Sequence, residues 1–278
     1  MNVKKRHHTG ARLLRLLVWS AAAATLAVLA LLVVYILWNG VPNLRPELFA
    51  WEYTSENASM MPALVNTLTL TGAALVLAVP MGIGAAVYLV EYARRGSRAV
   101  AVIRLTAETL AGIPSIVYGL FGYLLFSRTL GVGYSMAAGV LTVSVMVLPT
   151  ILRTTEEALL AVPDAYREGS FGLGAGRLRT VWCIVLPSAA PGIAAGVIVA
   201  VGRIVGETAA LIFTAGTAAQ LAGLSSSGRT LAVHMYALWN EGLHMEAAYA
   251  AGVVLLVLVV GINAAAGAVA RRYSDRKG

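Results

Sequence analysis

Charge is scarce in this chain. Asp, Glu, Lys and Arg make up only 12% of its 278 residues, against about 25% in an ordinary soluble domain. Cysteine is scarcer still. Cys183 stands alone, so no disulfide can close within the chain and no cysteine cluster can ligate a metal. No GxxxxGK[ST] run occurs, so the chain lacks the phosphate cradle with which such proteins bind and hydrolyse ATP. The histidines His7, His8, His234 and His244 form no HExxH pair, which removes the common helical zinc motif. "GLSSSG", with Ser225 and His234 nearby, lacks the G-x-S-x-G spacing of a nucleophile elbow. The expectation is a chain with no metal, no bound cofactor and no catalysis of its own.

What is abundant is apolar length. Hydrophobic residues are 59% of the total. Six runs, near 16–38, 64–90, 100–126, 134–152, 188–214 and 246–270, approach or exceed the ~20 residues that cross a bilayer. The first follows a basic N-terminus as a signal peptide would, but "LLVWSAAAATLAVLALLVVYILW" is longer than an h-region of about 7–15 residues, and no small-residue cleavage site follows. It reads as a retained helix. The fold class is all-α, a polytopic membrane protein with six transmembrane helices.

The formal net charge of +8 is explained by where the basic residues fall, without nucleic acid. Of the 21 lysines and arginines, seventeen lie in the N-terminal, second, fourth and C-terminal non-membrane segments or, for Arg104, at the adjoining end of a span. Arg45, Arg128 and Arg229 lie on the other side, and Arg203 lies within a span. The positive-inside rule then places both termini in the cytoplasm. The first outer segment carries Glu47, Glu52 and Glu56 against one arginine, so this face would not draw in a small anion by its own charge. An anionic substrate would have to be delivered by another molecule. In the outer segment 215–245, "LAVHMYALW" is either a short helix on the membrane surface or part of an ordered loop packed on the other helices.

Several spans are interrupted by proline. Pro80, Pro114, Pro149 and Pro187 each remove a backbone donor and free a carbonyl, which membranes tolerate where backbone packs on protein or lines a cavity. They are read as helix breaks along a polar path. Gly119 and Gly122 have the spacing of a close helix contact.

The fourth non-membrane segment, "TTEEALLAVPDAYREGSFGLGAGRLRTVWCIVLPSAAPG", is the most specific feature. Pro163 suits a first helical turn, Asp164 favours the positive end of a helix, and Gly174 is a natural stop. A helix near 163–175 on the cytoplasmic side would suit docking of a partner. The segment resembles the signature of ABC importer permeases, E-A-A-x3-G-x9-I-x-L-P. Glu168, Gly169, Ser170, Gly174, Ile184, Leu186 and Pro187 keep its spacing, with Gly169 and Ser170 where the family usually has alanines.

"NTLTLTGAALVLAVPMGIGAAVYLVEYA", "LAGIPSIVYGLFG", "TTEEALLAVPDAYRE" and "GRIVGETAALIFTAGT" together resemble the PstA-type permeases of phosphate ABC importers. The resemblance implies the type I, MetI-like ABC permease fold in a bacterial inner membrane. It implies a path for inorganic phosphate, a PstC-type permease as heterodimer partner, two ATPase subunits that use ATP and Mg, and a periplasmic phosphate-binding protein. Asp164, Tyr166, Arg167, Glu168, Gly169, Ser170 and Gly174 would then form the ATPase coupling helix. Residues 1–63 would be the N-terminus, first helix and outer loop, 64–272 the permease domain and 273–278 a tail. A permease for molybdate, sulfate or phosphonate is the alternative.

In this setting "RIVGETAALI" becomes interpretable. Arg203 and Glu207 are i and i+4, one helix face, and intramembrane charges mark substrate paths by default. Arginine keeps its charge and matches phosphate oxygens with planar donors, while Glu207 would hold it and weaken the site enough for release. A structural pair pinning neighbouring helices is the other reading. Arg104 and Glu108 repeat the spacing. Arg104 can snorkel to the cytoplasmic interface, and Glu108 lies deeper and needs a partner.

Overall fold

The computed structural model describes residues 3–94 and 96–275. The expected tail reaches beyond it at 276–278. No strand occurs among the described residues. The helices are α1 (Val3–Gly40), α2 (Met61–Val87), α3 (Arg98–Ala111), α4 (Ser115–Gly122), α5 (Met136–Leu160), α6 (Asp164–Gly172), α7 (Arg177–Thr180), α8 (Leu186–Val205), α9 (Ala209–Thr214), α10 (Leu231–Glu241) and α11 (Met245–Asp275). Wide π turns continue α2 over Tyr88–Tyr92 and α4 over Tyr123–Thr129, and Val181–Val185 joins α7 to α8.

Five helical stretches are long and apolar enough to cross a membrane, and a bent pair, α3 with the α4 stretch, makes a sixth. The expected span at 100–126 is therefore two helices meeting at 102°. The break falls at Gly112, Ile113 and Pro114, where proline disfavours helix in the residue before it. The Tyr118 hydroxyl donates to the Leu110 carbonyl at 2.8 Å, so the corner is tied by a hydrogen bond. The other prolines read as breaks behave differently. Pro80 and Pro149 lie inside continuous helices. Pro187 is in the first turn of α8, just after a π turn. Only Pro114 stands at a true break, because packed neighbours let the other helices run on past one missing donor.

α5 is the centre of the bundle, with 67% of its apolar window buried. Leu70, Ala74 and Ala78 of α2, Val143, Met146 and Ile151 of α5, and Ala200 and Ile204 of α8 form one core with Leu211 of α9. Small residues set the approach, as is usual where lipid offers no hydrophobic drive. A Cβ on Gly122 would lie 2.8 Å from Thr142 Cγ2 of α5, and one on Gly119 would lie 2.7 Å from the Ala210 Cα of α9. The expected close contact at these glycines is thus with two different helices. α1 packs by its Gly40 end: the Tyr35 hydroxyl meets the Tyr249 hydroxyl of α11 at 3.2 Å, while the apolar window of α1 is 0% buried.

The segment 215–245 folds against the bundle. Asn66 donates to the carbonyls of Gln220 and Arg229 at 2.8 and 3.1 Å, and the Leu231 N–H donates to Thr67 Oγ1 at 2.8 Å. α10 forms, but with Leu231, Val233, His234 and Leu238 buried; it is packed into the protein rather than laid on lipid.

Candidate functional site

Register gives the depth of Arg203. Cβ atoms built on Gly192 and Gly196 of α8 would meet Ala158 and Thr154 of α5. The two helices are antiparallel, and the same register sets Arg203 level with Val147. At 1.5 Å per residue that is about 16 Å from the Met136 end of α5 and about 20 Å from its Leu160 end. Arg203 therefore sits near the middle of the span, half-buried, and makes no ion pair or hydrogen bond among the described residues.

The expected shared face with Glu207 does not exist. α8 ends at Val205 with Gly206 as its cap, so the span expected over 188–214 stops and restarts. Glu207 falls in the gap before α9. It is 8% exposed, and its Oε1 accepts from the Ala210 N–H at 3.0 Å. Its carboxylate satisfies a donor that the new helix would leave open. Helical i, i+4 geometry needs an unbroken helix between the two residues, and the chain turns instead. Arg203 keeps its donors free, and its place in the last turn of α8 puts its charge beside the negative helix end, which offsets part of its burial.

Arg104 and Glu108 do share a face of the continuous helix α3, but they do not pair with each other. Arg104 Nη2 forms a close ion pair with Glu156 Oε1 of α5, a partner the linear spacing did not reveal because it comes from another helix. Glu108 is exposed. Both line a cavity of 230 Å³ with Arg153, Glu156 and Glu157. Glu156 lies nine residues beyond the Val147 level along α5, about 14 Å nearer the Leu160 end. The four residues assigned to one path thus fall at two depths: Arg203 with Glu207, and Arg104 with Glu108.

The helix expected near 163–175 is α6. Pro163 is extended at its N-cap and Asp164 opens the first turn. Gly174 takes φ +81°, the left-handed stop that glycine accepts without a Cβ penalty. Tyr166, Glu168 and Gly169 face outward, and Leu173 is 91% exposed. A groove of 550 Å³ is lined by Ala165, Tyr166, Gly169, Ser170, Leu173 and Arg179 among others. Nothing lies within 4 Å of a Cβ built on Gly169, so the glycine is not required by space. Arg167 turns inward and is 14% exposed, unlike its neighbours.

Sequence reasoning also missed two polar groups. Asn263 of α11 has a buried, unpaired Oδ1 that a Cβ on Gly202 would approach at 4.0 Å; a single amide in a long apolar run was its signal. Just before α10, Arg229 is 4% exposed and lies over the Tyr53 ring, 4.6 Å from its centroid. His234, 1% exposed, meets the same ring edge-on at 6.1 Å. Burial first, and then the Arg229 charge, push the His234 pKa down to about 3. Ser225 is exposed while His234 is buried, so no serine–histidine dyad forms.

Residues 78–275 match the family described as binding-protein-dependent transport system inner membrane component. The "Probable ABC transporter permease protein YqgI" of Bacillus subtilis is 33% identical over 269 residues, covering 88% of this chain and 90% of that protein. A phosphate transport system permease protein, PstA 1, of Mycobacterium tuberculosis is 39% identical over 210 residues, covering 73% and 68%. A bacterial alginate ABC transporter, solved in complex with a pentasaccharide-bound periplasmic protein, superposes with a TM-score of 0.68 at 18% identity, over 98% of this chain and 96% of that one. An inward-facing methionine ABC transporter gives 0.59 at 23% identity, over 76% and 93%. The shared architecture is that of the MetI-like importer permeases.

Proposed function

The chain belongs to the binding-protein-dependent transport system inner membrane component family, and we propose that it is the PstA-type permease through which inorganic phosphate enters the cell. Relatives named as phosphate permeases support the substrate. The observation that carries the mechanism is Arg203, an arginine at mid-span with no protein partner among the described residues. A bare guanidinium there is costly, and a passing oxyanion supplies both the countercharge and acceptors that its planar donors fit. Arg104, already paired with Glu156, meets the anion later, nearer the inner end. There an acidic majority around the 230 Å³ cavity favours release over retention.

Both termini and α6 face the cytoplasm in this reading, as the basic residues require. The exposed face of α6 docks an ATPase subunit, on which ATP and Mg are consumed, while this chain binds no cofactor. A PstC-type permease completes the path, two ATPase subunits bind below, and a periplasmic phosphate-binding protein delivers the anion past an acidic outer face.

Uptake of labelled phosphate per assembled complex tests this. Arg203→Gln keeps donors but loses the charge, and uptake should fall roughly 10- to 150-fold, the worth of one charge-assisted hydrogen bond. Glu207→Gln should be mild, since an amide oxygen can still accept from Ala210. Normal uptake by Arg203→Gln would remove Arg203 from the path. Uptake of molybdate or sulfate in preference to phosphate would reassign the substrate.

A further inference from the structure

We infer that Arg167 is a positioning residue whose pairing with Glu91 passes movement of α6 into α2 and α5. The inference rests on reading α6 as the helix that docks the ATPase. Its place in the sequence set Arg167 among the residues that would touch that subunit, but its side chain points away from the exposed face. Nε and Nη2 both donate to Glu91 Oε1, at 3.1 and 2.7 Å. Nη2 also reaches the Leu159 carbonyl at 2.9 Å, and Nη1 the Val162 carbonyl at 2.8 Å and Asp164 Oδ1 at 3.1 Å.

One planar group thus holds three elements together: the π turn that ends α2, the last turn of α5 and α6 itself. The two charged side chains are only 14% and 9% exposed. Removing either leaves the other charged and unpaired in a poorly hydrated place, so the joint resists being pulled apart. Lysine cannot replace it, because a point charge lacks the fork that reaches a carboxylate and two carbonyls at once.

The placement of the joint fits transmission. Glu91 lies in the π turn Tyr88–Tyr92, where the helical ladder is already loosened, and such turns recur at functional positions. A second, weaker tie joins Ser170 Oγ to Thr180 Oγ1 at 2.8 Å. It stands just before the π turn Val181–Val185 that leads into α8, the helix carrying Arg203. A neutral hydroxyl pair is weaker than a charge-assisted fork, so the larger share of any displacement of α6 goes through Arg167.

The test uses the complete transporter in liposomes, with binding protein and ATP, and reads phosphate moved per ATP hydrolysed. Arg167→Lys and Glu91→Gln are both mild enough to spare insertion. Each should keep ATPase subunits on the complex and keep hydrolysis, yet lower the ratio about tenfold, the scale of one lost charge-assisted hydrogen bond. Leu173→Asp, on the exposed face, is the control for the underlying reading and should release the ATPase. If Leu173→Asp leaves the ATPase bound, it is the docking role of α6 that fails. If it releases the ATPase while the Arg167 and Glu91 variants keep a normal ratio, the transmission role is overturned. Loss of transport and hydrolysis in equal proportion in those variants, with or without loss of assembly, overturns it as well.

Discussion

Single residues were legible where one local rule decides their conformation, and illegible where a distant partner does. Gly174 is legible as a helix stop because glycine takes the left-handed backbone that ends a helix, and its φ is +81°. Glu156 is not legible as part of the site, since its partner Arg104 is brought to it by packing of α3 on α5. His234 belongs to the second kind. Its folded pKa of about 3 lies below the ordinary value near 6.5, because burial and Arg229 both oppose its charge. The neutral form is thus the folded form. The contribution is intact above pH 6.5 and is lost as pH falls from there toward 3, where only the unfolded chain takes up the proton. The slope over that window is roughly 1.4 kcal/mol per pH unit. Thermal unfolding of purified protein should therefore steepen with acidity below pH 6.5, and His234→Phe should flatten that dependence. An unchanged pH profile in His234→Phe would place the acid sensitivity elsewhere.

At the scale of elements, apolar length located the spans but not their breaks. A run such as "AAPGIAAGVIVAVGRIVGETAALIFTAG" is apolar almost throughout, so periodicity does not reveal where a helix ends. The end at Val205 is set by Gly206 and by Glu207 capping Ala210, a contact between side chain and backbone that hydropathy does not register. The break shortens α9 to six residues, which then fits against α4 only because Gly119 brings no Cβ. This can be tested with matched substitutions. Gly119→Ala and Gly84→Ala gain the same helix propensity, about 1 kcal/mol. A Cβ at Gly84 meets nothing within 4 Å, whereas one at Gly119 lies 2.7 Å from Ala210 Cα and 3.1 Å from the Ala210 carbonyl oxygen. Gly84→Ala should be neutral or stabilising in detergent thermal unfolding. Gly119→Ala should lose about 1–3 kcal/mol, as overpacking does. Equal stabilities would mean that α4 and α9 are not in close contact.

For the whole molecule, the packing and the pattern of basic residues divide the connecting segments into the same two sets. Arg167 joins the segment after α5 to Glu91 at the end of α2. At the opposite end, the N–H groups of Ser135, Met136 and Ala137 donate to the carbonyls of Thr214, Ser226 and Leu224 at 2.8–3.0 Å. The packing thus groups the chain flanking the end of α2 and the 161–176 segment at one end, and the 130–135 and 215–230 segments at the other. Packing alone does not say which end faces the cytoplasm; the proposed orientation rests on the excess of lysine and arginine. Thiol labelling in intact cells resolves the orientation, and the single exposed Cys183 makes a clean background simple to build as Cys183→Ser. A membrane-impermeant reagent should label Ser225→Cys from outside and leave Leu173→Cys unlabelled. Inverted vesicles should give the reverse. Labelling of Leu173→Cys in intact cells would invert the topology. It would place α6 beyond the reach of a cytoplasmic ATPase and undo both the docking role of α6 and the transmission through Arg167.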